Sequence, residues 1–267
     1  MPEYEKWFQK AMDNIGTKRI GKSISFFKEV DSTNAQATRQ AKNGAGDGTI
    51  LLAEVQNAGY GRMNRHWTSP KGGLWLSIIL RPDIVPKHAT IITLMGACSV
   101  AEALKSTHGM EAKIKWPNDV LISGKKVCGI MTEMRTRGNE IDYVILGLGI
   151  NVNFPVTDLP QDIRETATTL QRECEKDVST RKLFKTLILE LDDMYDKLLS
   201  RQSGFILDSW RGKSDTLGQQ VRVVTIKESI EGNAVDIDES GALIVRTEDG
   251  KMRNIIAGDC VHLERKQ

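Results

Sequence analysis

At Gly212 the sequence changes character, and that change limits the fold more than any other single feature. Behind it, "QQVRVVTI", "IEGNAVDID", "GALIVRT", "KMRNIIAG" and "CVHLE" are short alternating strands, with turn signals at "ESG" and "EDG". Such a pattern specifies a small all-β unit of about 50 residues, built as a barrel. Ahead of it, apolar runs of strand length are interleaved with segments of helical length. The chain of 267 residues is therefore read as a large unit with a small companion.

In the large unit, residues 3–14 read as a short helix and "SISFFKEV" as a strand. "DSTNAQATRQAKNG" carries a helix cap at its start and a glycine stop at Gly44. "TILLAEVQ" and "LWLSIILRP" are strands flanking a polar loop. From His88 to His108 the sequence has helical length, with Leu94, Ala97, Val100, Ala101 and Leu104 on one face. "EAKIKWPNDVLI" begins as a strand and breaks at Pro117, whose missing N–H bars a ladder hydrogen bond. "GKKVCGIMTEMR" and "DYVILGLGINVN" follow as strands. A charged, Thr-rich stretch then leads to an amphipathic helix from about Arg181 to Leu199, with Leu183, Leu187, Leu191, Tyr195 and Leu198 at three- and four-residue spacing.

Basic and acidic residues nearly balance, 37 against 35, so no overall field draws the chain to nucleic acid or membrane and any charge-based function is local. The N-terminus lacks a basic segment followed by an apolar run and a cleavage site. Apolar runs such as "LWLSIIL" have strand length, so no membrane span is expected. Cys98, Cys128, Cys174 and Cys260 are scattered without CxxC spacing, which reads as reduced, mostly buried thiols in a cytoplasmic protein.

Four segments carry more than packing. "GYGRMNRHW", Gly59 to Trp67, sets two arginines on a glycine-softened loop that is costly to order. An anionic ligand would order it, with Arg62 and Arg65 pairing its oxygens and Trp67 stacking on a base; an exposed basic turn is the equal alternative at this point. It is neither a GxxxxGK[ST] loop nor a dinucleotide fingerprint. "KWPND", Lys115 to Asp119, places an amide and a carboxylate at a strand end. There Asp119 can act as a general base or hold Mg²⁺, although the motif alone reads as an ordinary turn. In "GKKVCGI", Lys126 precedes an apolar strand that sets its ammonium near the sheet's ligand face, whereas Lys125 reads as solvated. In "GLGINVN", Gly147 and Gly149 weaken a strand, which implies a ligand in close approach or a bulge, and Asn151 can read an adenine edge.

In this order the segments resemble the biotin protein ligase family. Its pattern is a vdSTN helix start, a GRGRxGRxW loop, a KWPND turn, an xKxxGI strand and a GxGIN strand ahead of a small SH3-like domain. Here they stand as Asp31-Ser32-Thr33-Asn34, Gly59 to Trp67, Lys115 to Asp119, Lys126 to Ile130 and Gly147 to Asn151, and the match runs from about Ile20 to the C-terminus. Two positions depart: Tyr60 stands where the family usually has arginine, and Asn64 where it usually has glycine. The resemblance implies an α+β fold. A mixed β-sheet catalytic domain of the class II synthetase-like type, packed with helices, would cover residues 21–212, after a helical extension over 1–20 and before an SH3-like β-barrel over 213–267.

The resemblance also implies a two-step reaction. Biotin's carboxylate attacks the α-phosphate of ATP, with Mg²⁺, to give biotinyl-5′-AMP and pyrophosphate; a lysine on a biotin carboxyl carrier domain then displaces AMP. By the family pattern, Ser32, Thr33, Asn34, Gln56, Tyr60, Gly61, Arg62, Lys126 and Gly129 surround biotin. Arg62, Arg65, Trp67, Lys115, Asn118 and Asn151 surround the nucleotide. Arg62, Lys126 and Asp119 carry the catalysis, and Mg²⁺ rides on the phosphates with Asn118 or Asp119 as its protein ligand. A lipoate or octanoate ligase or transferase of the same fold is the nearest rival. A biotin-responsive DNA regulator is a second, disfavoured because about 20 residues ahead of the pattern do not accommodate three helices of about ten residues each. The expectation is therefore no DNA and no membrane as partners, with a homodimer left open. A biotin-binding module without catalysis has no need of the phosphate-facing cations.

Overall fold

The computed structural model describes residues 15–263, so the helix expected over residues 3–14 lies outside the described residues. Seven strands form one mixed sheet: β1 (Ile24–Val30), β2 (Thr49–Gln56), β3 (Leu74–Leu80), β4 (Lys113–Lys115), β5 (Asp119–Ile122), β6 (Lys125–Arg137) and β7 (Glu140–Ile150), in the order β1-β2-β3-β7-β6-β5-β4. Only β1 and β2 run parallel; the other neighbours are antiparallel. The central strand β3 is buried along its whole length, which is why "LWLSIIL" is apolar on both faces.

One face of the sheet takes helix α1 (Thr33–Lys42), which packs Ala37 and Ala41 against Leu51, Ile79, Tyr143 and Ile145. The other face takes α2 (Thr90–His108), and beyond a five-residue helix α3 (Leu170–Cys174) come α4 (Thr180–Leu199) and α5 (Ser203–Lys213). Both α4 and α5 pack on α2. Helix α1 starts where the sequence indicated: Ser32 is its N-cap, its Oγ accepting from Ala35 N–H at 3.4 Å, and Gly44 follows its end at φ 89°.

One expectation is corrected, and two helices are added to those expected. The expected absence of any span-length apolar segment fails, because Pro86–His108 is long and apolar enough to cross a membrane; it is instead a core helix, 67% of its apolar window being buried. Helix α5 was not anticipated, although Ile206, Leu207 and Trp210 supply its buried stripe. Helix α3 sits inside the Thr-rich stretch, capped by Thr169. The break at Pro117 does fall between two strands, β4 and β5, which pair as a hairpin.

The small unit is a five-stranded antiparallel sheet of β8 (Gln220–Val224), β9 (Ser229–Ile237), β10 (Leu243–Arg246), β11 (Met252–Ile255) and β12 (Asp259–His262), in the order β11-β10-β9-β8-β12. Its apolar residues Val221, Val223, Ala234, Leu243 and Val245 join the same core as α2, α4 and the large sheet. Trp116 pins the two together. Its N–H donates to Thr216 Oγ1 at 2.9 Å and its Nε1 to Gly241 O at 3.3 Å, while Asp215 N–H donates to Ile114 O at 2.8 Å. At the other end, the buried Asp192 of α4 accepts from the N–H groups of Lys18, Arg19 and Ile20 at 2.6, 2.8 and 2.8 Å, which fixes the start of the described chain.

Candidate active site

A cavity of about 450 Å³ opens beside the start of α1, between the Gly59–Trp67 loop, the Lys115–Asp119 turn, residues 159–167 and β12. Every site residue expected from the sequence lines it. Its two ends differ in chemistry.

The first end is polar and uncharged. Thr33 N–H donates to Gln56 Oε1 at 2.8 Å, with the Thr33 hydroxyl 3.0 Å from the same oxygen. Gln56 Nε2 donates to Ser69 Oγ at 2.8 Å, whose hydroxyl donates to Trp67 O at 3.1 Å. Ser77, from the middle of β3, is wholly buried; its Oγ lies 2.7 Å from Thr33 Oγ1 and 2.6 Å from Asn34 Oδ1. Asn34 Nδ2 donates to Glu133 Oε2 at 3.0 Å, and the Tyr60 hydroxyl donates to the same carboxylate at 3.1 Å. Burial, and then the Glu133 charge, push the Tyr60 phenol up to about 12.

The second end is cationic. Arg62 Nη1 donates to Asn118 Oδ1 at 3.2 Å and Nη2 to Gly258 O at 2.9 Å, and Arg65 pairs with Asp259 of β12. Burial pulls the Arg62 pKa down from its usual value, opposed by Asp259 and Asp119. Lys126 Nζ lies 2.7 Å from Asp119 Oδ1 and 5.1 Å from the centroid of the Trp67 ring. Asn118 Nδ2 donates to Ile130 O at 2.9 Å, so the turn's amide is held on both sides. Lys115 depresses the neighbouring His262 after burial does. Burial pushes the Cys260 thiol up to about 11 and raises that of Cys128, so neither is a thiolate nucleophile.

The loop's backbone is tied within itself. Gly61 N–H donates to Arg65 O at 2.8 Å and Trp67 N–H to Gly59 O at 2.9 Å. Asn64 has φ 54°, a left-handed conformation that asparagine tolerates better than most residues, which explains how it stands in for glycine. The loop's side chains end on Asn118, Gly258, Asp259 and Glu133. Of these, Gly258, Asp259 and Glu133 are not marked in the sequence, nor is Ser77 beyond one local trace, a lone hydroxyl in an apolar run.

Of the two readings of the strand glycines, the bulge is corrected: none occurs at Gly147 or Gly149, both of which line the cavity and both of which are also closely approached by the protein's own side chains. A Cβ on Gly147 would lie 2.1 Å from Asn34 Oδ1; one on Gly149 would lie 2.4 Å from Trp67 Nε1, and one on Gly129 2.9 Å from Trp67 Cζ3. Gly129 and Gly149 pair across β6 and β7, so together they make a bare patch on which the indole lies. Asn151, 2% exposed, donates from Nδ2 to Thr168 O at 3.0 Å, while its Oδ1 and the Trp67 Nε1 are buried without a partner. An orphaned acceptor and an orphaned donor therefore stand at one wall.

Residues 26–151 match the Biotin/lipoate A/B protein ligase family, and residues 216–263 match the Biotin protein ligase C terminal domain. Over 92% of its length the chain is 33% identical to the Bifunctional ligase/repressor BirA of Bacillus subtilis, covering 75% of that protein. The chain belongs to the biotin protein ligase family. It is also 31% identical to the Biotin--[acetyl-CoA-carboxylase] ligase of Mycobacterium tuberculosis, over 93% of this chain and 92% of the relative. Among solved structures, the biotin protein ligase from Aquifex aeolicus in complex with biotin and ATP superposes with a TM-score of 0.77 at 30% identity, covering 90% of this chain and 98% of that one. The mixed seven-stranded sheet and the small C-terminal sheet are thus the family's architecture.

Proposed function

We propose that this biotin protein ligase family member joins biotin to a lysine of a biotin carboxyl carrier domain in the cytoplasm, through biotinyl-5′-AMP and with release of pyrophosphate, then AMP. The observation that carries this reading is the two-ended cavity: a polar, uncharged end at Thr33, Asn34 and Gln56, and a cationic end at Arg62 and Lys126, joined by the Trp67 wall.

Each step makes a demand that these residues meet. A carboxylate approaching a polyphosphate is repelled, so Arg62 and Lys126 lower the barrier by lying between the two. Arg62 is anchored through Asn118 and Gly258, so its charge is held in place rather than recruited. A phosphate oxygen drawn to Lys126 competes with Asp119, now 2.7 Å away, and frees that carboxylate for the second step. There the incoming lysine must lose a proton, at a cost of about 4 kcal/mol at pH 7, and Asp119 is placed to take it. The unpartnered Asn151 Oδ1 suits the amino group of adenine. The loop over residues 59–67 keeps water from the mixed anhydride.

The donor set suits a Mg²⁺ carried on phosphates. Among the described residues no three His, Cys, Asp or Glu side chains converge to hold a metal, and Mg²⁺ ordinarily binds through one or two carboxylates and substrate phosphates. Asn118 or Asp119 would hold it, and when bound it neutralises charge on the polyphosphate. We read residues 21–212 as the catalytic unit and 213–267 as the unit that closes its cationic end.

The test is direct: purified protein, biotin, Mg-ATP and a carrier domain, with avidin detection of labelled carrier. Biotin-dependent ATP–pyrophosphate exchange without carrier labelling would leave only the first step; no exchange with biotin would refute the reading.

A further inference from the structure

Behind the polar end of the cavity runs a chain of oxygens that holds too few hydrogens. Asn34 Oδ1, Ser77 Oγ, Thr33 Oγ1 and Gln56 Oε1 make three successive contacts of 2.6, 2.7 and 3.0 Å. The two terminal oxygens are carbonyls and only accept, while the two hydroxyls bring one hydrogen each. Three contacts therefore share two hydrogens. The two shortest carry them: Ser77 donates to Asn34, and Thr33 donates to Ser77. Gln56 Oε1 keeps the Thr33 N–H at 2.8 Å, and Gln56 is held in orientation by Ser69. What Thr33 and Gln56 offer the cavity is lone pairs, a wall that suits N–H donors.

This arrangement depends on the way the Asn34 amide faces. Were it turned over, its NH₂ would supply the missing hydrogen: Asn34 to Ser77, Ser77 to Thr33, Thr33 to Gln56. The wall would then be satisfied and closed to a donor. What holds the amide is Glu133, which lies outside the cavity lining. As a carboxylate it accepts only, so it takes Asn34 Nδ2 at 3.0 Å and the Tyr60 hydroxyl at 3.1 Å. Gly147, lacking a Cβ, leaves room for Asn34 Oδ1 against the sheet.

We propose that Glu133 is a positioning residue which, by locking the Asn34 amide, keeps the Thr33–Gln56 wall one hydrogen short and so selects an acid whose ring carries N–H donors. The inference rests on the reading that biotin, whose ureido edge has such donors, occupies this end. A site left with unpaired acceptors rejects a ring that lacks donors, and a wall whose acceptors are already filled loses that preference.

Glu133→Gln offers Asn34 an amide in place of an acceptor-only carboxylate and permits the flip. Ser77→Ala removes one hydroxyl, so that the Thr33 hydrogen turns to Gln56. Both variants should raise the KM for biotin in ATP–pyrophosphate exchange about tenfold, with the KM for ATP and kcat within about twofold of wild type. Because they act on one relay, the double variant should be no worse than either single one. An unchanged biotin KM, a matching rise in the KM for ATP, or additive effects in the double variant overturns the proposal. Failure of the wild type to exchange with biotin refutes the functional reading itself, so the two failures are distinguishable.

Discussion

Replacing Gly149 by alanine tests whether the sheet surface under Trp67 must stay bare. The added methyl would lie 2.4 Å from Trp67 Nε1 and 2.8 Å from Cε2. Non-bonded carbon contacts settle near 3.5–4.0 Å, so the indole must lift by about 1 Å from β6 and β7. Position 149 lies in strand β7 without left-handed backbone, so alanine brings no strain of its own. The displaced indole should cost about 1–3 kcal/mol of stability as an overpacked contact, offset in part by the entropy the glycine no longer contributes to the unfolded chain. A shift of about 1 Å beside reacting groups costs about 10²-fold in rate, near 2.7 kcal/mol of transition-state stabilisation. ATP–pyrophosphate exchange, run beside a thermal melt, reads both quantities. Gly129→Ala meets the same ring at 2.9 and 3.1 Å, so it should lose less. Wild-type exchange by Gly149→Ala would show that the indole's seat is irrelevant to turnover.

Other perturbations follow from the same geometry. Arg62→Ala and Lys126→Ala should each abolish adenylate formation in pyrophosphate exchange, whereas Asp119→Ala should chiefly slow transfer to the carrier, seen as adenylate accumulating before avidin-detectable label. Asp192→Ala strips the acceptor from three backbone N–H groups, of which only that of Ile20 is buried; at about 1–3 kcal/mol for a buried donor left unpaired, and less for the two that water can reach, it should cost about 2 kcal/mol in urea unfolding. Asp192→Asn should cost less, since Oδ1 alone serves Arg19 and Ile20. The Tyr60 phenol, raised to about 12 by burial and Glu133, stays neutral in the folded protein after an unfolded tyrosine has ionised near 10. Its contribution to stability is thus complete below about pH 10 and is lost between about 10 and 12. An absorbance titration of wild type minus Tyr60→Phe should place one phenol in that upper window; ionisation near 10 would refute the Glu133 contact.

How much was readable from the sequence follows the range of the interactions involved. Helix α1 announces itself because Ser32 caps it through Ala35, three residues away. β3 is legible because seven consecutive buried positions leave an apolar run. Gly147 and Gly149 drew notice for the right physical reason, a missing Cβ, but what needs the space is Asn34 and Trp67, far away in the chain. Helix α5 was missed because it ends beside the change at Gly212, where attention to strands hides a stripe of only three buried residues. Asp259 could not be found at all: it meets Arg65 across 194 residues, and nothing near either one marks the partner. Glu133 looked like one more polar residue in an alternating strand.

The clamp on Trp116 bears on any attempt to trim this ligase. Ending the chain near Lys213, the boundary most visible to the eye, would take away Thr216 and Gly241, which accept from the backbone N–H and the indole N–H of Trp116, a residue that is 1% exposed. It would also take away Gly258 and Asp259, on which Arg62 and Arg65 rest. A fragment cut there keeps nearly every residue that would touch biotin, yet loses the footing beneath two of its charges and bares an indole to water. Sequence seams and working parts do not coincide in this molecule.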